Sequence, residues 1–366
     1  MMVDAESVQP LHLEVPERLS QAVQMLAYNK YRMDLDVHQH SACMLAGDLH
    51  DGAYGPAEPL PFLARVLPFM WAAKHAEGRE YALVPTANTL GCSWRWRRRS
   101  LDNEKAQRLV QQLTDARALA NDSLNRASYA LIRPLGIFAP NEGKNRVDFL
   151  REEGIEQIPA EVFYIDYPSA IRLKLYRVEA GAFAETWAVL DGQWVEKVAH
   201  PSWAIPVLNA YGVTLEREWP GEYAPIGDVL EAFLGSRGST QALGHPEYRS
   251  AAVVDLETLK VRSEYQAERV PCPVIELQHV KIEPRFWMSA GAGLFVSSLA
   301  TMWLPAEWTE VRLAAGIGVG AAIGALAAVA APILRVRRRS VRNQPALPLK
   351  LATKRRRPTM MENPSE

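Results

Sequence analysis

The longest apolar runs in the chain lie near its C-terminus. Phe286 to Leu304 (FWMSAGAGLFVSSLATMWL) and Leu313 to Leu334 (LAAGIGVGAAIGALAAVAAPIL) carry no charge over about 19 and 22 residues. At 1.5 Å per residue, helices of that length reach roughly 28 and 33 Å, close to the ~30 Å of a bilayer's hydrocarbon core. Trp287 and Trp303 bracket the first run and Trp308 sits in the short connection, where amphipathic indoles favour the headgroup layer. The pattern predicts a two-helix transmembrane hairpin, with spans at 286–304 and 313–334. A further apolar stretch, Leu60–Ala73, contains Arg65 and is cut by Pro61 and Pro68, so it is too broken to span.

Ahead of the hairpin the pattern is that of an α+β body. After a flexible N-terminus (1–19), residues 20–130 combine an apolar helix-like stretch near 59–76 with a polar helix near 101–131, where Leu109, Leu113, Ala116, Leu119 and Ala120 recur at helical spacing. Residues 131–215 read mainly as short strands and turns. In TWAVLDGQWVEKV, two β-rich runs flank Asp191-Gly192, which suits a type I′ turn and makes Asp191 a structural residue. Residues 216–285 predict a helix near Ile226–Leu234 and strands at Ala251–Val261 and Val274–Ile282, leading into the membrane.

Charge sharpens the topology. The 366 residues have a formal net charge of −1. Residues 331–366 hold ten Lys/Arg against two Asp/Glu, +8, which leaves 31 against 40, −9, for the rest. Arg335, Arg337, Arg338, Arg339 and Arg342 follow the second span and Lys281 and Arg285 precede the first, whereas the connection PAEWTEVR is nearly neutral. By the positive-inside rule both ends face the cytoplasm, in an inner (cell) membrane, with 335–366 a basic cytoplasmic tail attracted to anionic headgroups. The acidic N-terminus, broken by Pro10 and Pro16, does not read as a signal peptide. Three scattered cysteines without a C-x-x-C suit a reducing compartment. Gly316, Gly320 and Gly324 give the second span one nearly bare face, suited either to packing on the first span or to homo-oligomerisation.

The candidate chemistry centres on APNEGKNRVDFLREEGIEQIPAEVFYI. Glu142, Gly143, Lys144, Asn145 and Arg146 follow a strand and open a helix, Val147–Glu153, which stops at Gly154. A glycine turn at a helix N-terminus presents free amides and the positive dipole end, and two cations beside it suit phosphate. Gly143-Lys144-Asn145-Arg146, the short helix, Gly154-Ile155-Glu156-Gln157-Ile158-Pro159 and the strand Ala160–Ile165 resemble the second conserved box of the ParB/sulfiredoxin-like superfamily. The resemblance covers 25–30 residues, extending to about 120–180 if the preceding helix and strand belong to it. It implies an α+β fold whose Gly and Arg turn contacts nucleotide phosphates, with CTP or ATP as candidate ligands. Lys144 and Asn145 stand where sulfiredoxins carry Cys and His, so their redox chemistry is not implied. Nor is the partition proteins' arginine box or helix-turn-helix visible downstream. Glu142 and Asp148 are the only acids close to the turn, and no reaction is implied.

Two other constellations stand out in the N-terminal region. His38, His40, Cys43, Asp48, His50 and Asp51 crowd together without a standard metal-ligand spacing, so no metal site is expected, and Cys43 with a nearby His is a poor nucleophile pair. Trp94-Arg95-Trp96-Arg97-Arg98-Arg99 has the aromatic and basic interleaving of single-stranded nucleic-acid binders, but better fits a strand with Trp inward and Arg outward that runs into a helix near Asp102. The sequence therefore points to a membrane-anchored cytoplasmic protein that binds a nucleotide or nucleic-acid phosphate, in plasmid or mobile-element maintenance or in defence. The competing expectation is a non-enzymatic membrane scaffold assembling through its Gly-rich helix.

Overall fold

The computed structural model describes residues 8–38, 47–50, 55–93, 98–116, 126–180, 183–235, 253–281, 283–303 and 305–342. The chain divides at Leu256 into two units, both mixed in helix and strand.

In the first unit, one five-stranded sheet has the order β1-β2-β5-β3-β4, from Gln9–Pro10, Lys74–Pro85, Ser128–Arg133, Ile137–Glu142 and Gln157–Asp166 in chain order. β2 and β5 pair antiparallel, β5 and β3 parallel, and β3 and β4 form an antiparallel hairpin. β3 is apolar on both faces. Ala130 and Ile132 enter a core with Ile137, Ala139 and Ile165, covered by helices α1 (Glu17–His38) and α2 (Pro59–Val66). Tyr129 and Leu131 enter a second core with Ile158, Ala160 and Val162, covered by α3 (Asn103–Thr114) and α4 (Lys144–Glu152). A strand buried on both sides carries an unbroken apolar run rather than an alternating one, and YALI is such a run.

The second sheet of this unit has the order β10-β8-β7-β6-β9, from Leu173–Ala180 (β6), Phe183–Leu190 (β7), Trp194–Lys197 (β8), Leu215–Glu216 (β9) and Val253–Asp255 (β10). Leu173, Leu175, Ala188 and Leu190 share the first core with Ala204, Val207 and Leu208 of α5 (Pro201–Tyr211). On the opposite face Tyr176 and Trp187, cross-strand partners, pack edge-to-face with Trp219 at 5.2 and 5.3 Å between ring centres. Phe233 of α6 (Ile226–Gly235) adds a further edge contact to Trp187. Asp191 and Gly192 have φ of 55° and 68°, and Gln193 N–H donates to the Leu190 carbonyl at 3.0 Å, so the β7–β8 turn is of the primed type. Arg172 holds the Asp191 carboxylate through two hydrogen bonds, which accounts for this acid structurally.

In the second unit α7 (Leu256–Ala267) leads to β11 (Arg269–Cys272), and α8 (Pro284–Trp303) and α9 (Thr309–Ala330) form a helical hairpin. β12 (Leu334–Arg337) returns to pair antiparallel with β11. Gln278 N–H donates to Ser340 O at 2.8 Å and Arg342 N–H to Glu276 O at 2.7 Å, so the entry to α8 and the exit from α9 lie at the same end. α9 is long and apolar enough to cross a membrane, with a mean hydropathy of 2.1 and its apolar window wholly unburied. Among the described residues it alone passes that test. α8 carries Ser289, Ser297, Ser298 and Thr301, with charged Arg285 in its first turn, which lowers its apolar character.

Several expected elements change. Within the helix expected near 101–131, α3 ends at Thr114, Ala116 is again helical, residues 117–125, with Leu119 and Ala120, lie outside the described residues, and from Ser128 the chain is in β3, whose Tyr129 to Ile132 bury both faces. The expected division at 130/131 falls inside β3, so one sheet draws on both regions. The helix-like stretch 59–76 ends at Val66, before Pro68, and strand β2 begins at Lys74. The expected strand at Ala251–Val261 is confined to Val253–Asp255, where β8 offers a partner; from Leu256 the chain is helical. Val274–Ile282 gives one short 3-10 turn, Val274–Glu276, and an isolated bridge from Leu277 to Val341, since β12 pairs along its length with Arg269–Cys272 instead. Residues 131–215 also hold a helix, α5, started by Pro201 at its first turn.

Glu196 of β8 ties the second sheet to the connection after α2. It is 3% exposed, and its Oε2 accepts from Phe69 N–H at 2.9 Å and Trp71 Nε1–H at 2.8 Å. Phe69 has the left-handed φ of 61°, a conformation this clasp helps to hold. Burial pushes the Glu196 carboxyl up from 4.5 to about 7, against the two hydrogen bonds that favour its ionised form. With the folded pKa raised, the folded state keeps its proton between about pH 4.5 and 7, so stability is fullest in acid and falls as pH rises through that window. At about 1.4 kcal/mol per pKa unit the loss is of order 3 kcal/mol. Thermal melts should therefore show a lower Tm at pH 8 than at pH 5 for the wild type, a difference that Glu196→Gln largely removes. An unchanged difference in the variant would show that Glu196 is not its source.

Candidate functional site

The turn singled out from the sequence joins β4 to α4. Gly143 has φ 78° and ψ 11°, a left-handed conformation that a Cβ would strain, and it caps α4 without a side-chain bond. The first amides of the helix that follows have no i−4 acceptor, as at any helix start. Glu142 and Asn145 are exposed, whereas Lys144 and Arg146 are partly covered. The Lys144 ammonium pairs with Glu58, and Arg146 Nη2 donates to the Arg126 carbonyl at 3.2 Å. All five residues are thus on one corner, but its two cations have internal partners. Gly143 and α4 follow β4, and β5 comes next in the chain, lying parallel beside β3.

Below the turn, α4 is bolted to the segment Thr86–Ser93. Asp148, fully buried, accepts from Ser93 N–H at 3.1 Å and from Arg151 Nη1 at 2.8 Å. Arg151 Nη2 also reaches the carbonyls of Thr89 at 2.5 Å and Thr86 at 3.1 Å, and its guanidinium lies 5.5 Å from the centre of the Tyr31 ring. Cys92 N–H donates to the Lys144 carbonyl at 3.3 Å, bringing this segment to the first turn of α4. Gly91 is obligatory: a Cβ there would fall 1.9 Å from Asp148 Oδ1. Asp148, one of two acids near the turn, is therefore occupied in holding the scaffold, and Glu142 points outward at the strand end.

Sequence reading missed two features of this neighbourhood. Lys30 and Asp34 form a 2.6 Å ion pair with both side chains wholly buried, Lys30 Nζ lying 5.3 Å from the centre of the Phe62 ring. Its signal, an i,i+4 pair of opposite charge on α1, is indistinguishable in sequence from a solvated one. Cys92 is buried beside these charges; burial foremost pushes its thiol up to about 11, which makes it a poor nucleophile.

The remaining constellations scatter. Of the His/Cys/Asp group, His40, Cys43 and Asp51 lie outside the described residues, His38 ends α1, His50 bridges to Pro56, and Asp48 Oδ1 lies 2.8 Å from His200 Nε2. Among the described residues no three His, Cys, Asp or Glu side chains gather as metal ligands. Trp94 to Arg97 also lie outside the described residues. Arg98 is a structural tie: its N–H donates to Glu152 at 2.8 Å and its side chain pairs with Glu153. No family model, no curated protein and no solved structure matches the chain.

The obligatory glycine gives a direct check on this architecture. Gly91→Ala forces a methyl into a buried carboxylate, an overpacking change that costs about 1–3 kcal/mol or more. The melting temperature should fall by several degrees; a variant as stable as wild type would mean that the Thr86–Ser93 segment does not sit against Asp148.

Proposed function

We propose that this is a membrane-anchored protein whose α+β body binds a phosphate-bearing ligand, a nucleotide or a nucleic acid, at the turn Gly143 to Arg146. The observation that carries the reading is the left-handed glycine opening α4 with Lys144 and Arg146 on its first turn. A phosphate at this corner meets the helix's N-terminal amides and partial positive charge together with both side-chain cations. Glu58 acts as a built-in competitor, since it neutralises Lys144 when no anion is there. CTP and ATP are the nucleotides to try first, from the ParB/sulfiredoxin-like resemblance, and plasmid or mobile-element maintenance or defence is the setting it suggests.

α9 supports the anchoring: a 22-residue apolar helix left unburied by its own protein is stable in hydrocarbon and not in water. In this reading α8 crosses beside it as the second span, and the shared end of the hairpin, rich in arginine, faces the cytoplasm with both termini.

A second reading, a scaffold assembling through the membrane, is favoured by one observation. Gly318, not the Gly316, Gly320 and Gly324 set, meets α8: a Cβ on Gly318 would come 2.9 Å from Ser297 Oγ, while the other three face open space. Packing of that set on the first span, one of the two sequence expectations, is thereby replaced by Gly318, and the open face remains for another copy of the chain.

Titration of the full-length detergent-solubilised protein with CTP, ATP and single-stranded DNA separates the two readings. The phosphate site predicts saturable binding that Arg146→Ala weakens at least ten-fold and that Glu58→Gln, by freeing Lys144, tightens several-fold. Failure of the folded wild type to bind any of the three, with Gly320→Leu dissociating an oligomer, would replace it by the scaffold.

A further inference from the structure

The ribbon formed by β11 and β12 has two unlike faces. In an antiparallel pair, residues directly opposite each other project to the same side. Arg269 lies opposite Arg337, and Pro271 opposite Arg335, so Arg269, Arg335 and Arg337 share one face. All three are exposed. Val270 and Val336, also opposite one another, and buried Cys272 make the other face. Arg338, the next residue, is drawn inward instead: its guanidinium lies 4.0 Å from the centre of the Tyr265 ring and bonds Glu268 at 2.5 Å. The basic run read from the sequence as one tail is therefore split, with one arginine fastening the ribbon and two presented outward. Arg269, more than sixty residues upstream, joins them.

Two like charges directly opposite on paired strands repel, and among the described residues none of these three arginines has an acid partner in an ion pair. Such a face is complementary to an external anion. Its position says which. Only Ala331 to Ile333 separate the end of α9 from β12, and three extended residues reach at most about 11 Å. The headgroup layer beyond each side of the hydrocarbon is roughly 5–8 Å deep. The arginines consequently leave the apolar helix at the depth of lipid phosphates.

We propose that the β11–β12 ribbon is a docking face for anionic lipid headgroups, built by strand pairing from Arg269, Arg335 and Arg337. The inference rests on the reading of α9 as a membrane span and deepens it: the contact is a folded face that includes Arg269, and not a diffuse basic tail. Free basic residues along a tail would act in proportion to their number, whereas a folded face depends on the residue that pairing brings in.

The test uses the full-length protein in neutral detergent, titrated with phosphatidylglycerol or phosphatidylcholine and read by native mass spectrometry of the bound lipid. Wild type should prefer phosphatidylglycerol. Arg269→Gln and Arg337→Gln should each weaken that lipid roughly five-fold, as expected for one arginine at a membrane surface, and leave phosphatidylcholine unchanged, while Arg269→Lys should keep most of the preference. Equal binding of the two lipids by wild type overturns the proposal. So does a neutral Arg269→Gln when joint neutralisation of Lys354, Arg355, Arg356 and Arg357 abolishes the preference, since a tail is then sufficient. A wild type without lipid preference but with Arg269-dependent binding of single-stranded DNA would assign the face to nucleic acid and overturn it equally. Carbonate extraction of membranes keeps the underlying reading separate: release of the protein sinks the span itself, whereas retention without headgroup preference sinks the ribbon alone.

Discussion

The first unit is organised by a strand that must be covered twice. β3 is flanked in its sheet by β4 and β5 and buries apolar side chains on both faces, so the chain has to supply a layer on each. α1, α2, α5 and the second sheet supply one; α3 and α4 supply the other. Each buried apolar side chain contributes about 1.5–3 kcal/mol. That driving force fixes α4 over Tyr129 and Leu131 and, with it, the position of the Gly143 turn.

Three buried carboxylates trapped by that arrangement each have a partner. Asp148 under α4 meets Ser93 and Arg151, Glu196 meets Phe69 and Trp71, and Lys30 meets Asp34. A buried charge without a partner costs several kcal/mol, so these contacts specify which segment lies against which element. The same helix divides its charges: Asp148 and Arg151 are committed to holding the scaffold, while Lys144 and Arg146, nearer the surface, pair with Glu58 and with the Arg126 carbonyl.

In the second unit the corresponding constraint is the pairing of β11 with β12. It closes the helical hairpin at one end, and it sorts a run of arginines by alternation into those presented and the one fastened inside. Glycine spacing has a similar two-part outcome. Gly318 gives α8 its close approach, and the more regular Gly316, Gly320 and Gly324 series is left facing outward.

The amino-acid sequence by itself determined the features set by local composition and spacing. These are the apolar helix expected at 313–334 and found four residues earlier at Thr309–Ala330, the helix Ile226–Gly235 within a residue, the Asp191-Gly192 turn and the glycine opening α4, because each depends on residues adjacent in the chain. Tertiary structure alone decided the rest. The brevity of β10 and the strand at Arg269–Cys272 were settled by partners far away in sequence. So were the burial of Lys30 with Asp34 and the fates of Asp148 and Arg338. The physical reason is common to all of them: a charge or a strand acquires its role from what is placed opposite it, and local periodicity carries no record of that neighbour.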